Sequence, residues 1–179
     1  MHEFDSIKKT AIAFFALGLA FSVAAQNQPE VPAELKPPTG DEVILRVHAK
    51  GVQIYSCQVG TDGKYSWTLK APKADLFDDQ GKIIGTHSAG PAWKLNDGSE
   101  VTGKAAARHD APKAGAVPWL LINVIGHKGA GQLEKATSIQ RVNTEGGIVD
   151  ATKSCDASAG GKESESAYSA DYYFYAPKK

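Results

Sequence analysis

The sequence predicts an all-β protein: a single antiparallel β-sandwich or barrel domain with short turns and little helix. Three observations predict it. Short runs rich in β-branched and aromatic residues recur along the chain, and clusters of Gly, Asn and Asp separate them. No stretch carries the apolar period of an amphipathic helix. Length and composition agree, since 179 residues suit one domain, and 42% hydrophobic with 22% charged residues mark a globular chain.

The first 25 residues read as a secretory signal. Lys8 and Lys9 precede an apolar run from Ala11 to Phe21, and Val23, Ala24 and Ala25 close it with small side chains. Cleavage is expected after Ala25. The run is shorter than the ~20 apolar residues of a membrane span, so no transmembrane anchor is expected after cleavage. Residues 26–40 carry Pro29, Pro32, Pro37 and Pro38 and read as an extended leader. Residues 41–179 form the β domain, exported to the periplasm or outside the cell.

Within the domain, Val43–His48 and Val52–Val59 are predicted strands joined through Lys50-Gly51. Gly60-Thr61-Asp62-Gly63 has hairpin composition, with Lys64–Leu69 as the returning strand. Leu76-Phe77 and Lys82–His87 flank the turn Asp79-Gln80-Gly81, and Trp93–Leu95 and Ser99–Thr102 flank Asn96-Asp97-Gly98. Lys104–Pro118, rich in Ala, Gly and Pro, reads as a long loop. Trp119–Ile125 is the most apolar run and fits a strand buried on both faces, with a helix as the alternative. After the glycine-rich turn Gly126–Gly131, Gln132–Lys135 suits one helical turn and Ser138–Asn143 a strand. Ser158–Ser166 is polar loop. The last strand, Ala167–Ala176, sets Tyr168, Ala170, Tyr172 and Phe174 on one face and Asp171, Tyr173 and Tyr175 on the other.

Charge and cysteines narrow the function classes. Twenty basic and twenty acidic side chains balance, which removes the electrostatic case for nucleic acid. Cys57 and Cys155 lie in the exported part, and in an oxidising compartment they are expected to form one disulfide. No C-x-x-C motif suggests redox chemistry.

The segment from Gly85 to Trp93 holds Thr86, His87, Ser88, Gly90 and Pro91. It departs from the G-x-S-x-G nucleophile elbow, because glycine stands one place too early and no strand-to-helix turn follows. His87 then reads as a hydrogen-bonded histidine at a strand end. Gly126, Gly129 and Gly131 reverse the dinucleotide spacing, so a tight turn is expected and no cofactor is implied. His48, His87, His109 and His127 show no metal-ligand spacing, and no metal site is expected. Asp75, Asp78 and Asp79 lack calcium-loop spacing. Trp67, Trp93 and Trp119 fill a core poor in Phe, while aromatics left on a β surface can stack on sugars or peptide groups. Arg141 shares a strand face with Ile139 and Asn143 and, pointing inward, would need a carboxylate partner.

With these residues in view, the chain resembles the secreted family catalogued as domain of unknown function 3455. The resemblance is carried by Gly51-Val52-Gln53-Ile54-Tyr55-Ser56-Cys57, Trp67, Ala71–Leu76, Gly85–Trp93 and Asp97-Gly98-Ser99. It continues through Pro118–Leu121, Ile139-Gln140-Arg141, Thr144–Gly147, Cys155 and Tyr168–Tyr172. It implies export and no particular activity.

The leading expectation is non-enzymatic binding of a glycan, envelope component or other small or extended ligand. Tyr55, His87, Trp93, Trp119 and Arg141 are the candidate residues. One alternative is a hydrolase using His87 with a carboxylate such as Asp75 or Asp97, which must lie within ~2.6–3.2 Å. The other is a structural or interaction module whose partner adds to a sheet edge.

Overall fold

Ten predicted strand runs merge into eight strands in the computed structural model, which describes residues 29–178. The signal-peptide expectation lies outside the described residues. Strand β1 runs unbroken over Asp41–Val59. Gly51, predicted as a joint, sits in mid-strand opposite Ala74, where a Cβ would lie 2.1 Å from the Lys73 carbonyl oxygen. The glycine marks a close backbone approach and no turn. Strand β2, Tyr65–Phe77, likewise absorbs Leu76-Phe77 and passes through Pro72. The next strand pairs with β2 only from Ala74 onward, so the missing proline N–H removes no bond on that side.

Strands β3 (Ile83–Ser88) and β4 (Ala92–Leu95) form a short hairpin, followed by β5 (Glu100–His109), β6 (Trp119–Lys128), β7 (Ser138–Gly146) and β8 (Glu163–Pro177). Every neighbour is antiparallel, and β8 returns to pair with β1 from Asp41↔Pro177 to Ser56↔Glu163. The all-β prediction holds, and of its two architectures the closed barrel is the one formed. Each strand has a neighbour on both sides, but Tyr65–Lys73 of β2 extends beyond its pairing with β3, and Lys104–His109 of β5 beyond its pairing with β4.

Three local expectations are corrected. Lys104–His109 belongs to β5 and not to a loop, because Ala105 and Ala107 pair with Ile122 and Leu121 across a bulge. Tertiary pairing there overrides the weak strand propensity of alanine. Strand β6 is not buried on both faces: Ile122 is buried, but Ile125 is 65% exposed. Gln132–Lys135 forms turns and no helix, and it drops Leu133, fully buried, onto the barrel core.

Alternation fills the interior. Val47, Ala49, Leu76, Trp93, Val101, Ile122, Ile139, Tyr172 and Phe174 share one core cluster. The inward set of β8 is the one its period predicts. Outward positions include Arg46, His48, Lys50, Lys73, Asp75 and Asp171, which interrupts the apolar band that lipid-facing barrels carry. Among the described residues no helix is long and apolar enough to cross a membrane.

A second cluster lies outside the barrel wall, where Tyr173, Tyr175 and Val142 pack with Trp119, Val43 and Val31. The Pro-rich segment lies over this wall through a 3-10 turn, Ala33–Leu35. Leu35 is fully buried, and its carbonyl accepts from the Gln140 side-chain amide at 2.6 Å. At the other end, Cys57 of β1 is bridged to Cys155 in the loop between β7 and β8, with Cα atoms 5.5 Å apart. Such bonds persist in oxidising compartments.

Candidate functional site

The site arises from unequal strand lengths. The β3–β4 hairpin is short, whereas β2 and β5 on either side run past it. The wall is therefore cut back beside Leu69–Pro72, and the gap is lined by small residues: Ala71, Pro72, Pro91 and Ala105. The result is a cavity of about 320 Å³, within the range of small-ligand sites.

Aromatic rings form one side of it. His87 on β3 and Trp93 on β4 are cross-strand partners, and their rings stack with centroids 4.3 Å apart and planes 11° from parallel. Tyr172 of β8 meets both edge-on, at 5.2 and 5.4 Å. Gly103 makes room for the indole, since a Cβ there would lie 3.2 Å from the Trp93 ring and 2.5 Å from Ile122.

Burial holds the His87 pKa down at about 4, opposed by the Ala92 carbonyl and reinforced by the Arg141 charge. The ring is thus neutral at neutral pH. Its Nδ1 lies 2.8 Å from the Ala92 carbonyl oxygen, an acceptor, so Nδ1 carries the proton and Nε2 keeps its lone pair. Burial likewise raises the Tyr172 pKa, so its hydroxyl remains protonated.

Gln53 Nε2, Trp93 Nε1 and the Tyr172 hydroxyl are buried and have no hydrogen-bond partner among the described residues. All three side chains line this one cavity. Arg141 of β7 lines it too, pointing inward as its strand period predicts. Its expected carboxylate partner is absent among the described residues. Instead its Nε and Nη2 donate to the Pro118 carbonyl at 3.1 and 2.8 Å.

Of the five candidate residues, the structure brings together His87, Trp93 and Arg141. Tyr55 does not line the cavity; it is half-buried and its hydroxyl donates to the Gly147 carbonyl at 2.7 Å. Trp119 faces the opposite side of its strand and packs in the outer cluster under Val31. Gln53 and Tyr172 were missed. Tyr172 is at an inward position of the β8 alternation, and Gln53 continues the inward parity of Val47, Ala49 and Gly51 once β1 is read as one strand.

The hydrolase constellation is not formed. His87 is committed to a backbone carbonyl, Asp75 is exposed on the outer face of β2, and Asp97 is engaged elsewhere. Asp97 accepts from the Gln132 amide at 2.8 Å and the Ser99 hydroxyl at 2.6 Å, which holds its pKa below the usual carboxylate range. Histidine–carboxylate contacts occur instead at His48–Asp171, 2.5 Å, and His109–Glu34, 2.8 Å, both on the outer surface. Among the described residues no three His, Cys, Asp or Glu side chains gather as metal ligands.

Comparison with known families gives one match here: a family model described as Protein of unknown function (DUF3455) covers residues 37–176. Neither the curated proteins nor the solved structures compared with the chain give a match.

Proposed function

The chain belongs to the family described as Protein of unknown function (DUF3455), and on that premise, which assigns no chemistry, we propose that it is an exported, non-enzymatic binding protein. Its ligand is a small amphipathic molecule held in the cavity beside the β3–β4 hairpin. Of the small and extended ligands the sequence allowed, a cavity of about 320 Å³ favours the small ones. The observation that carries the reading is that three side chains whose buried polar atoms have no partner among the described residues all line one cavity. Each such atom costs roughly 1–3 kcal/mol of stability when left unsatisfied. Three in one place are economically explained by a molecule that satisfies them. Export to the periplasm or beyond rests on the N-terminal signal pattern and is in keeping with the Cys57–Cys155 bridge.

The test is thermal denaturation of the purified protein with 3-phenylpropionate, octanoate, indole and phenol, alongside Ala105→Leu, which fills the cavity from its β5 wall. Saturation at about a hundred times Kd stabilises by ~2.7 kcal/mol, which raises Tm by roughly 5–10 °C for a domain of this size. At least one probe is expected to raise the Tm of the wild type and to leave that of Ala105→Leu unchanged. Equal shifts in both proteins, or none in either, would remove the cavity as the binding site.

A further inference from the structure

We propose that the ligand is a small organic carboxylate, its anionic head received by Arg141, Gln53 and Tyr172 and its apolar body seated against Leu120, Ile122 and Trp93. The proposal rests on the cavity reading above and specifies its chemistry.

Four observations point to this class. The unpartnered groups carried by the lining side chains are an amide N–H, an indole N–H and a phenol O–H, so a ligand that reaches them must supply acceptors. A guanidinium has five N–H bonds; the Pro118 carbonyl engages two, leaving three for a further acceptor. No carboxylate among the described residues neutralises Arg141, and a half-buried cation without a counter-charge is destabilising until an anion arrives. The other cation on the lining, Lys70, is paired with Glu163. One available positive charge suits a monoanion better than a dianionic phosphate ester, and a planar carboxylate matches the guanidinium fork. Apart from His87, the remaining lining is apolar, so the molecule needs a hydrocarbon or aromatic body as well as its head.

Isothermal titration of the purified protein with 3-phenylpropionate and octanoate, against 3-phenylpropionamide and octanamide, tests the class. The two acids are expected to bind roughly 10- to 100-fold more tightly than their amides, the range of a charge-assisted hydrogen bond. Arg141→Gln should lose most of that preference. Because Arg141 also holds Pro118, Tyr172→Phe serves as a second variant: it deletes a hydroxyl with no partner, so its Tm should stay level or rise while acid affinity falls severalfold. Acids and amides binding equally, or unchanged acid affinity in both variants, would overturn the carboxylate assignment and leave the cavity reading standing. Binding of none of the four would overturn the carboxylate assignment, and the cavity reading falls with it when indole and phenol also leave the Tm unchanged.

Discussion

The His87 imidazole lies flat on the Trp93 indole, 4.3 Å between centroids, with its Nδ1–H donated to the Ala92 carbonyl. Burial, reinforced by the Arg141 charge, keeps a titratable ring neutral inside the barrel against the opposing effect of that hydrogen bond. A hydrolytic histidine would have a carboxylate where this one has a backbone oxygen. The contact has a measurable consequence in pH.

His87 has a folded pKa of about 4 against an ordinary value near 6.5. Between these values the unfolded chain binds a proton that the folded chain refuses, so stability falls as pH drops from about 6.5 to about 4. The loss from this one group is on the order of 3 kcal/mol. Urea unfolding of wild type and His87→Gln across that range measures it. The wild type should lose stability more steeply, and parallel curves for the two proteins would show that His87 is not held neutral.

Gly103 is the second test of the aromatic wall. In Gly103→Ala the new methyl would stand 2.5 Å from Ile122 and 3.2 Å from the Trp93 ring, and both side chains are stiff. Overpacking of this kind costs roughly 1–3 kcal/mol. The midpoint of urea unfolding should fall accordingly and the Trp93 fluorescence should shift. A variant as stable as the wild type would mean that the indole does not sit against β5.

The Cys57–Cys155 bridge closes a span of 98 residues and ties the β7–β8 loop to the end of β1. Replacing both cysteines by alanine is expected to cost about 2–5 kcal/mol, read as a lower midpoint in denaturant. The carboxylate-probe affinity should persist in the folded variant, since neither cysteine lines the cavity. Loss of binding in a folded variant would place the bridge in the site.

Much of this fold was legible because strand period and turn chemistry are local properties. The inward face of β8 and the inward aim of Arg141 followed directly from alternation. Gly51 was misread because a glycine in a strand can mark either a turn or a close approach, and only the position of Lys73 distinguishes them. That error cut β1 in two and broke the parity count, so Gln53 was overlooked as an inward donor. The alanines of β5 were overlooked for a related reason, since their strand conformation depends on β6 and not on their own propensity. Trp119 looked like a binding residue until the leader segment was seen to cover its side of the barrel. The cavity was not legible, because it depends on the relative lengths of four strands and on small residues drawn from two of them and from the β3–β4 turn.

The most direct measurement uses the three tryptophans as reporters: Trp93 in the cavity, Trp67 with its N–H donated to the Lys153 carbonyl at 3.0 Å, and Trp119 in the outer cluster. Their indole N–H signals, assigned through single Trp→Phe variants, are followed by NMR during titration with 3-phenylpropionate. A ligand in the cavity moves the Trp93 signal on saturation and leaves those of Trp67 and Trp119 in place. A Trp93 signal that stays fixed while the acid binds, or movement at Trp119 instead, would contradict a binding site inside the barrel.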